Sequence, residues 1–152
     1  HPVTTSLYDR CAQDAAASVI VAYSTSFALA SRLLGPRVRT HVRSVYALVR
    51  VADEIVDGAA DEALVPAPTQ RLLLDEFEAE TLTAIARGFS TNLIVHAFAL
   101  AARAAAYKAY FEHMPVSAAM APQGAAMPAA TSTGVVMLCS DQSTFSSVII
   151  FM

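Results

Sequence analysis

The stretch from Thr40 to Gly58, THVRSVYALVRVADEIVDG, decides how the chain is read. Val42, Val45, Leu48, Val49, Val51, Ala52, Ile55 and Val56 leave little of it polar, as in a helix buried on most sides. The exceptions form a row. Arg50, Asp53 and Asp57 follow one another at steps of three and four, and Tyr46 stands four before Arg50, so all four share one helical face. Two carboxylates one turn apart suit a hard cation, and a guanidinium suits phosphate oxygens. The row points to a diphosphate held through magnesium. An isolated carboxylate pair at this spacing is more often a solvated face. Arg50 could also pair with Asp53 or Glu54 on its own helix, worth about 0.2–0.5 kcal/mol when exposed. Glu54, about 100 degrees round the helix from Asp53, reads as a surface charge.

Working outward, the flanks are helical too. Ser6 is a candidate N-cap with Asp9 in the first turn, and a helix then runs to about Val21. The hydroxyl-rich Tyr23 to Ser26 favours a break or a cap. A short helix follows from Phe27 to Leu34, with Phe27, Ala30, Leu33 and Leu34 expected inward, and Gly35-Pro36 ends it. Pro36 suits the first turn of the central helix, and Arg37, Arg39 and Arg43 make its start basic. Gly58 stops it, leaving Asp57 at the negative end of the helix dipole, an unfavourable place unless a cation is near. Residues 59–68, with Pro66 and Pro68, read as a loop. A further helix is expected from Thr69 to Arg87, ended by Gly88, and another from Leu93 to about Tyr110, capped by Thr91-Asn92, with Ile94, Phe98 and Ala101 inward. No alternation of period two appears, so the fold class is all-α.

Composition sets further bounds. A length of 152 residues with 55% hydrophobic residues allows one domain with a sizeable core. The net charge of −3 argues against nucleic acid as a partner. The two cysteines, Cys11 and Cys139, match no disulfide or metal spacing, which makes a reduced cytoplasmic setting the default and Cys11 a small core residue. His41, His96 and His113 show no metal spacing and read as structural or exposed. The run from Asp75 to Glu80 reads as a solvated face. No signal peptide is evident, and the start at His1 rather than Met implies a piece of a longer or processed chain. The uncharged Ala15 to Ser31 is short for a membrane span and carries Ser18, Ser24, Thr25 and Ser26, so a buried helix is expected there.

The last forty residues differ in kind. All ten Lys and Arg precede residue 109, and Asp141 is the only Asp, Glu, Lys or Arg after Glu112. Pro115, Pro122, Pro128, Gly124 and Gly134 exclude a long helix. Ser147 to Met152 is a short uncharged β-prone run, an aggregation hazard if exposed. The expected division is therefore 1–112, helical, and 113–152, an unrelated, irregular low-complexity tail that reads like translation past a frameshift.

Two segments carry a family resemblance. Tyr46, Arg50 and Asp53-Glu-Ile-Val-Asp57 resemble the first aspartate-rich motif, Asp-x-x-x-Asp, of the squalene/phytoene synthase family. Tyr23-Ser-Thr-Ser-Phe27, followed by Ala-Leu-Ala-Ser-Arg-Leu-Leu, resembles that family's Ser-x-Ser-Phe opening segment. A lone Asp-x-x-x-Asp is a weak signal, but both segments in this order and at this spacing are specific. The resemblance runs from about Tyr8 to about Arg103.

The resemblance implies an isoprenoid-synthase-type helical bundle, represented here by its N-terminal helices. It implies a prenyltransferase that joins two prenyl diphosphates head to head through a cyclopropyl intermediate. Geranylgeranyl diphosphate, leading to phytoene and carotenoids, is the expected substrate. Asp53 and Asp57 would hold Mg2+, with Mn2+ as a substitute. Ser24, Ser26 and Arg50 would contact the diphosphate, and Tyr46 and Arg50 would stand at the reacting centre. Many family members have His where Tyr23 stands, so the chain departs from the family pattern at that position. Small residues such as Ala28, Ala30, Ala47 and Ala52 would line an apolar tunnel. The family takes its metals from two aspartate-rich motifs, and no second Asp-x-x-x-Asp follows Asp57. The 152-residue chain is accordingly expected to lack synthase activity and to self-associate through an uncovered apolar face. Peripheral association with a membrane is compatible with lipid substrates. The alternative is a non-catalytic helical protein that binds lipids or a partner on the same scaffold.

Overall fold

A computed structural model describes residues 5–112, with side chains to residue 106. Contacts divide the chain into two compact units, residues 1–101 and 102–152. Of the second unit, the described residues are 102–112, the end of the last helix. Among the described residues there are six helices and no strand: α1 (Leu7–Tyr23), α2 (Thr25–Ser31), α3 (Pro36–Val56), α4 (Ala59–Glu62), α5 (Ala67–Arg87) and α6 (Leu93–Glu112). The all-α class holds. The proposed tail, with His113, Cys139 and Asp141, lies outside the described residues.

Local chemistry sets the boundaries. Ser6 caps α1 through a capping box: its hydroxyl accepts the Asp9 N–H at 3.0 Å, and the Asp9 carboxylate accepts the Ser6 N–H at 3.2 Å. Ser24 ends α1 and caps α2, accepting the Phe27 N–H at 3.3 Å. Pro36 occupies the first turn of α3, where its missing N–H costs nothing. Asn92 caps α6 by accepting the N–H groups of Ile94 and Val95. Gly88 closes α5 in the left-handed conformation, φ 84°.

The stretch expected to be a loop, 59–68, is partly helical. Residues 59–62 form α4, and α5 begins at Ala67 rather than Thr69. Pro66 and Pro68 do not prevent this, because Pro66 is the N-cap of α5 and Pro68 falls in its first turn, where no intrahelical N–H is required.

Helix α1 packs chiefly on α3, which also meets α5 and α4. Where α1, α3 and α6 converge, the buried residues are Ala12, Ala16, Ala47 and Ala97, flanked by Val19 and Ile94. Small side chains let helix axes approach closely. Helix α6 is buried from Val95 to Ala99 without a break, so it has no solvent face there. Phe98, Ile20, Leu48 and Val95 are the largest fully buried apolar side chains.

Helix α2 departs from expectation. Phe27, Ala30, Leu33 and Leu34 are exposed, and Ala28 and Ser31 are buried instead. The helix spans Thr25–Ser31 rather than Phe27 to Leu34, so Leu33 and Leu34 fall in the connection after it, and within it the short Ala28 and Ser31 side chains are buried while Phe27 is covered in part. Of the four alanines expected inward, Ala28, Ala47 and Ala52 are buried and Ala30 is not. Cys11 is likewise exposed rather than in the core, because α1 turns Ala12 and Ala16 inward.

Candidate diphosphate site on the central helix

The residues singled out in the sequence lie on α3 and at the α1–α2 junction, and two ring contacts bring these segments together. Phe27 stacks on Tyr46 with ring centroids 5.4 Å apart. The Arg50 guanidinium lies 4.4 Å from the centre of the Tyr23 ring, a cation–π arrangement. The Tyr23–Phe27 segment is thereby held against the face of α3 that carries Tyr46 and Arg50. Ser24 lies between these contacts, half-buried, and Ser26 is exposed.

Arg50 is fixed by Glu54. The Arg50 Nη2 and Nε donate to Glu54 Oε1 at 2.6 Å and 3.1 Å. Glu54 Oε2 accepts the Ala59 N–H at 2.7 Å. The Arg50 hydrogen bond, then the Ala59 amide, hold the Glu54 carboxyl below its ordinary value against partial burial. The expectation of a mere surface charge is corrected here: Glu54 ties Arg50 to the turn that follows α3. Its position in the sequence hid this, because its second partner is a backbone N–H beyond the helix end. Gly58 makes room for it. A Cβ there would stand 2.3 Å from Glu54 Oε2 and 2.9 Å from the Glu54 Cα.

Asp53 is half-buried, and Asp57, the C-cap of α3, is exposed. Among the described residues neither carboxylate makes a side-chain hydrogen bond or salt bridge. Their oxygens are open to a cation. The donor set fits magnesium in part, since that ion keeps several waters and takes one or two carboxylates together with substrate phosphate. Among the described residues no group of three or more His, Cys, Asp or Glu side chains converges on one point, so these helices offer no complete protein cage.

A second polar network lies away from this face and was not foreseen. His96 is buried; its Nε2 donates to Asp9 Oδ1 at 2.7 Å, and its Nδ1 accepts the Ser90 N–H at 3.1 Å. Tyr8 donates to the Ser90 carbonyl at 2.6 Å, and the Ser90 hydroxyl donates to Glu80 at 2.8 Å. Glu80 thus has a structural bond, although the acidic run of α5 reads as a solvated face. The Tyr8, Phe89 and His96 rings pack on one another. The network pins the α5–α6 turn to the start of α1.

The family model for squalene/phytoene synthase matches residues 20–128. That span covers well over half of the chain, includes both motif segments, and continues past Arg103. The chain belongs to the squalene/phytoene synthase family. No curated protein and no solved structure is a significant match to the chain.

Proposed function

We propose that this chain is the diphosphate-activating part of a prenyltransferase that joins two prenyl diphosphates head to head, with geranylgeranyl diphosphate as substrate and phytoene as product. Family membership supports the reaction class. The observation that carries the site is the meeting of Tyr23–Phe27 with the Tyr46–Arg50 face of α3. In this reading Ser24, Ser26 and Arg50 bind phosphate oxygens. Arg50 arrives already oriented, with its Nε and Nη2 committed to Glu54, so that its remaining N–H groups face the ligand. Tyr46, backed by Phe27, stands beside the reacting carbons. Asp53 and Asp57 hold Mg2+, or Mn2+ in its place. The ion, when bound, neutralises the departing diphosphate and so lets the allylic carbon–oxygen bond break. Apolar walls keep water from the resulting cation.

In the same reading the substrate is C20, the pathway leads to carotenoids, the location is cytoplasmic, and the chain touches a membrane surface and self-associates. Among the described residues no helix is long and apolar enough to cross a membrane. Incubation of the 152-residue chain with labelled geranylgeranyl or farnesyl diphosphate and Mg2+, read by mass spectrometry, tests the reading. The expected result is preferential retention of the C20 compound without turnover, because one Asp-x-x-x-Asp cannot clamp a diphosphate from two sides. Preference for the C15 compound would move the substrate to farnesyl diphosphate. Clear turnover would refute the inactivity of this stretch.

A further inference from the structure

The charged face of α3 extends further towards its N-terminus than the family motif. Arg39, Arg43, Tyr46, Arg50, Asp53 and Asp57 follow at steps of four, three, four, three and four, which keeps all six along one side of the helix. Two of the three arginines are committed within the fold. Arg39 closes the end of α2 by donating to the carbonyls of Ser31, Arg32 and Leu34, and Arg50 is engaged by Glu54. Arg43 is different. It is half-buried, its Nε is fully shielded from solvent, and that nitrogen has no hydrogen-bond partner among the described residues. No Asp or Glu occurs between Asp14 and Asp53, so no nearby position in the sequence supplies a carboxylate.

A shielded guanidinium N–H without an acceptor is costly and uncommon. The shielding also keeps a ligand from Nε, so a ligand meets this guanidinium through its terminal Nη groups, which make no hydrogen bond among the described residues and are not buried as Nε is. Arg43 and Arg50 are seven residues apart, about 10.5 Å along the helix, with Tyr46 between them on the same face. Two long side chains starting two turns apart can converge on one dianionic or trianionic group. A diphosphate offers two phosphoryl groups, and the Nη1–Nη2 edge of a guanidinium grips phosphate oxygens in bidentate fashion.

We propose that Arg43 is a second anion-binding arginine of the α3 face, taking one phosphoryl group of a diphosphate whose other group lies at Arg50. This rests on the diphosphate reading of that face.

Calorimetric titration of the full chain with inorganic diphosphate in the presence of Mg2+ tests it, with thermal melting of the ligand-free protein alongside. Arg43→Met keeps the packed stem and removes the fork. It is expected to weaken binding roughly tenfold and to leave the melting temperature unchanged or raised, because a shielded unpaired group has gone. Arg43→Lys, which keeps the charge but loses the fork, is expected to fall between the two. Unchanged affinity in Arg43→Met, with Arg50→Ala impaired, would overturn the role of Arg43 and leave the diphosphate site standing. Weaker binding accompanied by a lower melting temperature in both Arg43 variants would make Arg43 structural and overturn the proposal. Absence of binding in the unmodified chain would overturn the diphosphate reading and this proposal with it.

Discussion

Ser24 shows how one side chain can answer to two demands. Its hydroxyl caps α2, and loss of such a cap costs about 1 kcal/mol. The family resemblance also assigns it a phosphate contact. The two roles separate on substitution. Ser24→Ala is expected to lose about 1 kcal/mol in urea unfolding and to weaken diphosphate binding. Ser24→Asp keeps a good cap but sets a carboxylate against phosphate, so stability is expected to survive while binding is lost. Asp9 offers a pH-dependent test. Partial burial raises its carboxyl, but the hydrogen bonds from His96 and Ser6 outweigh this and hold it below the usual carboxylate range. A depressed folded pKa stabilises the fold above the unfolded value, near 3.9, and that contribution is lost as pH falls through the folded value. Melting temperatures taken from pH 7 downwards are expected to fall more steeply in the unmodified chain than in Asp9→Asn once the pH drops below about 4. Parallel curves would show that the Asp9–His96 bond contributes no pH-linked stability.

At the scale of elements, the turn after α3 holds the strictest requirement. Gly58 lies where any Cβ would strike Glu54, and Glu54 in turn holds Arg50. Gly58→Ala is expected to cost about 1–3 kcal/mol and to weaken diphosphate binding together with stability; an unchanged melting temperature would contradict the described turn. The helices themselves were legible in the sequence, because Ser6, Ser24, Pro36, Gly88 and Asn92 each carry a capping or stopping chemistry that acts within a few residues. Asp53, Asp57 and Arg50 were legible as one face for the same reason. What escaped was set by partners distant in sequence. His96 answers to Asp9 and Ser90, Glu80 answers to Ser90, and α2, packed between α1 and α3, turns Ala28 and Ser31 inward and ends before Leu33, which lies open where the pattern placed it inside. The early start of α5 escaped because prolines at helix starts and prolines in loops look alike until the first turn is placed.

For the molecule as a whole, the uncovered side chains matter most. Leu29, Leu33 and Val38 are 62%, 91% and 52% exposed around the α2–α3 connection. An apolar surface of this kind normally meets a partner. Light scattering of the isolated chain is expected to show dimers or larger species, and a monodisperse monomer would contradict this. The α3 face is proposed to hold its diphosphate through a metal ion. Titration of geranylgeranyl diphosphate into the chain with and without Mg2+, for the unmodified protein and for Asp53→Ala/Asp57→Ala, tests it most directly. Binding that requires the ion and falls at least roughly tenfold in the double variant is the result expected. Binding of equal strength without the ion, or untouched by loss of both carboxylates, would contradict the claim and favour a helical lipid-binding protein that has no use for a metal.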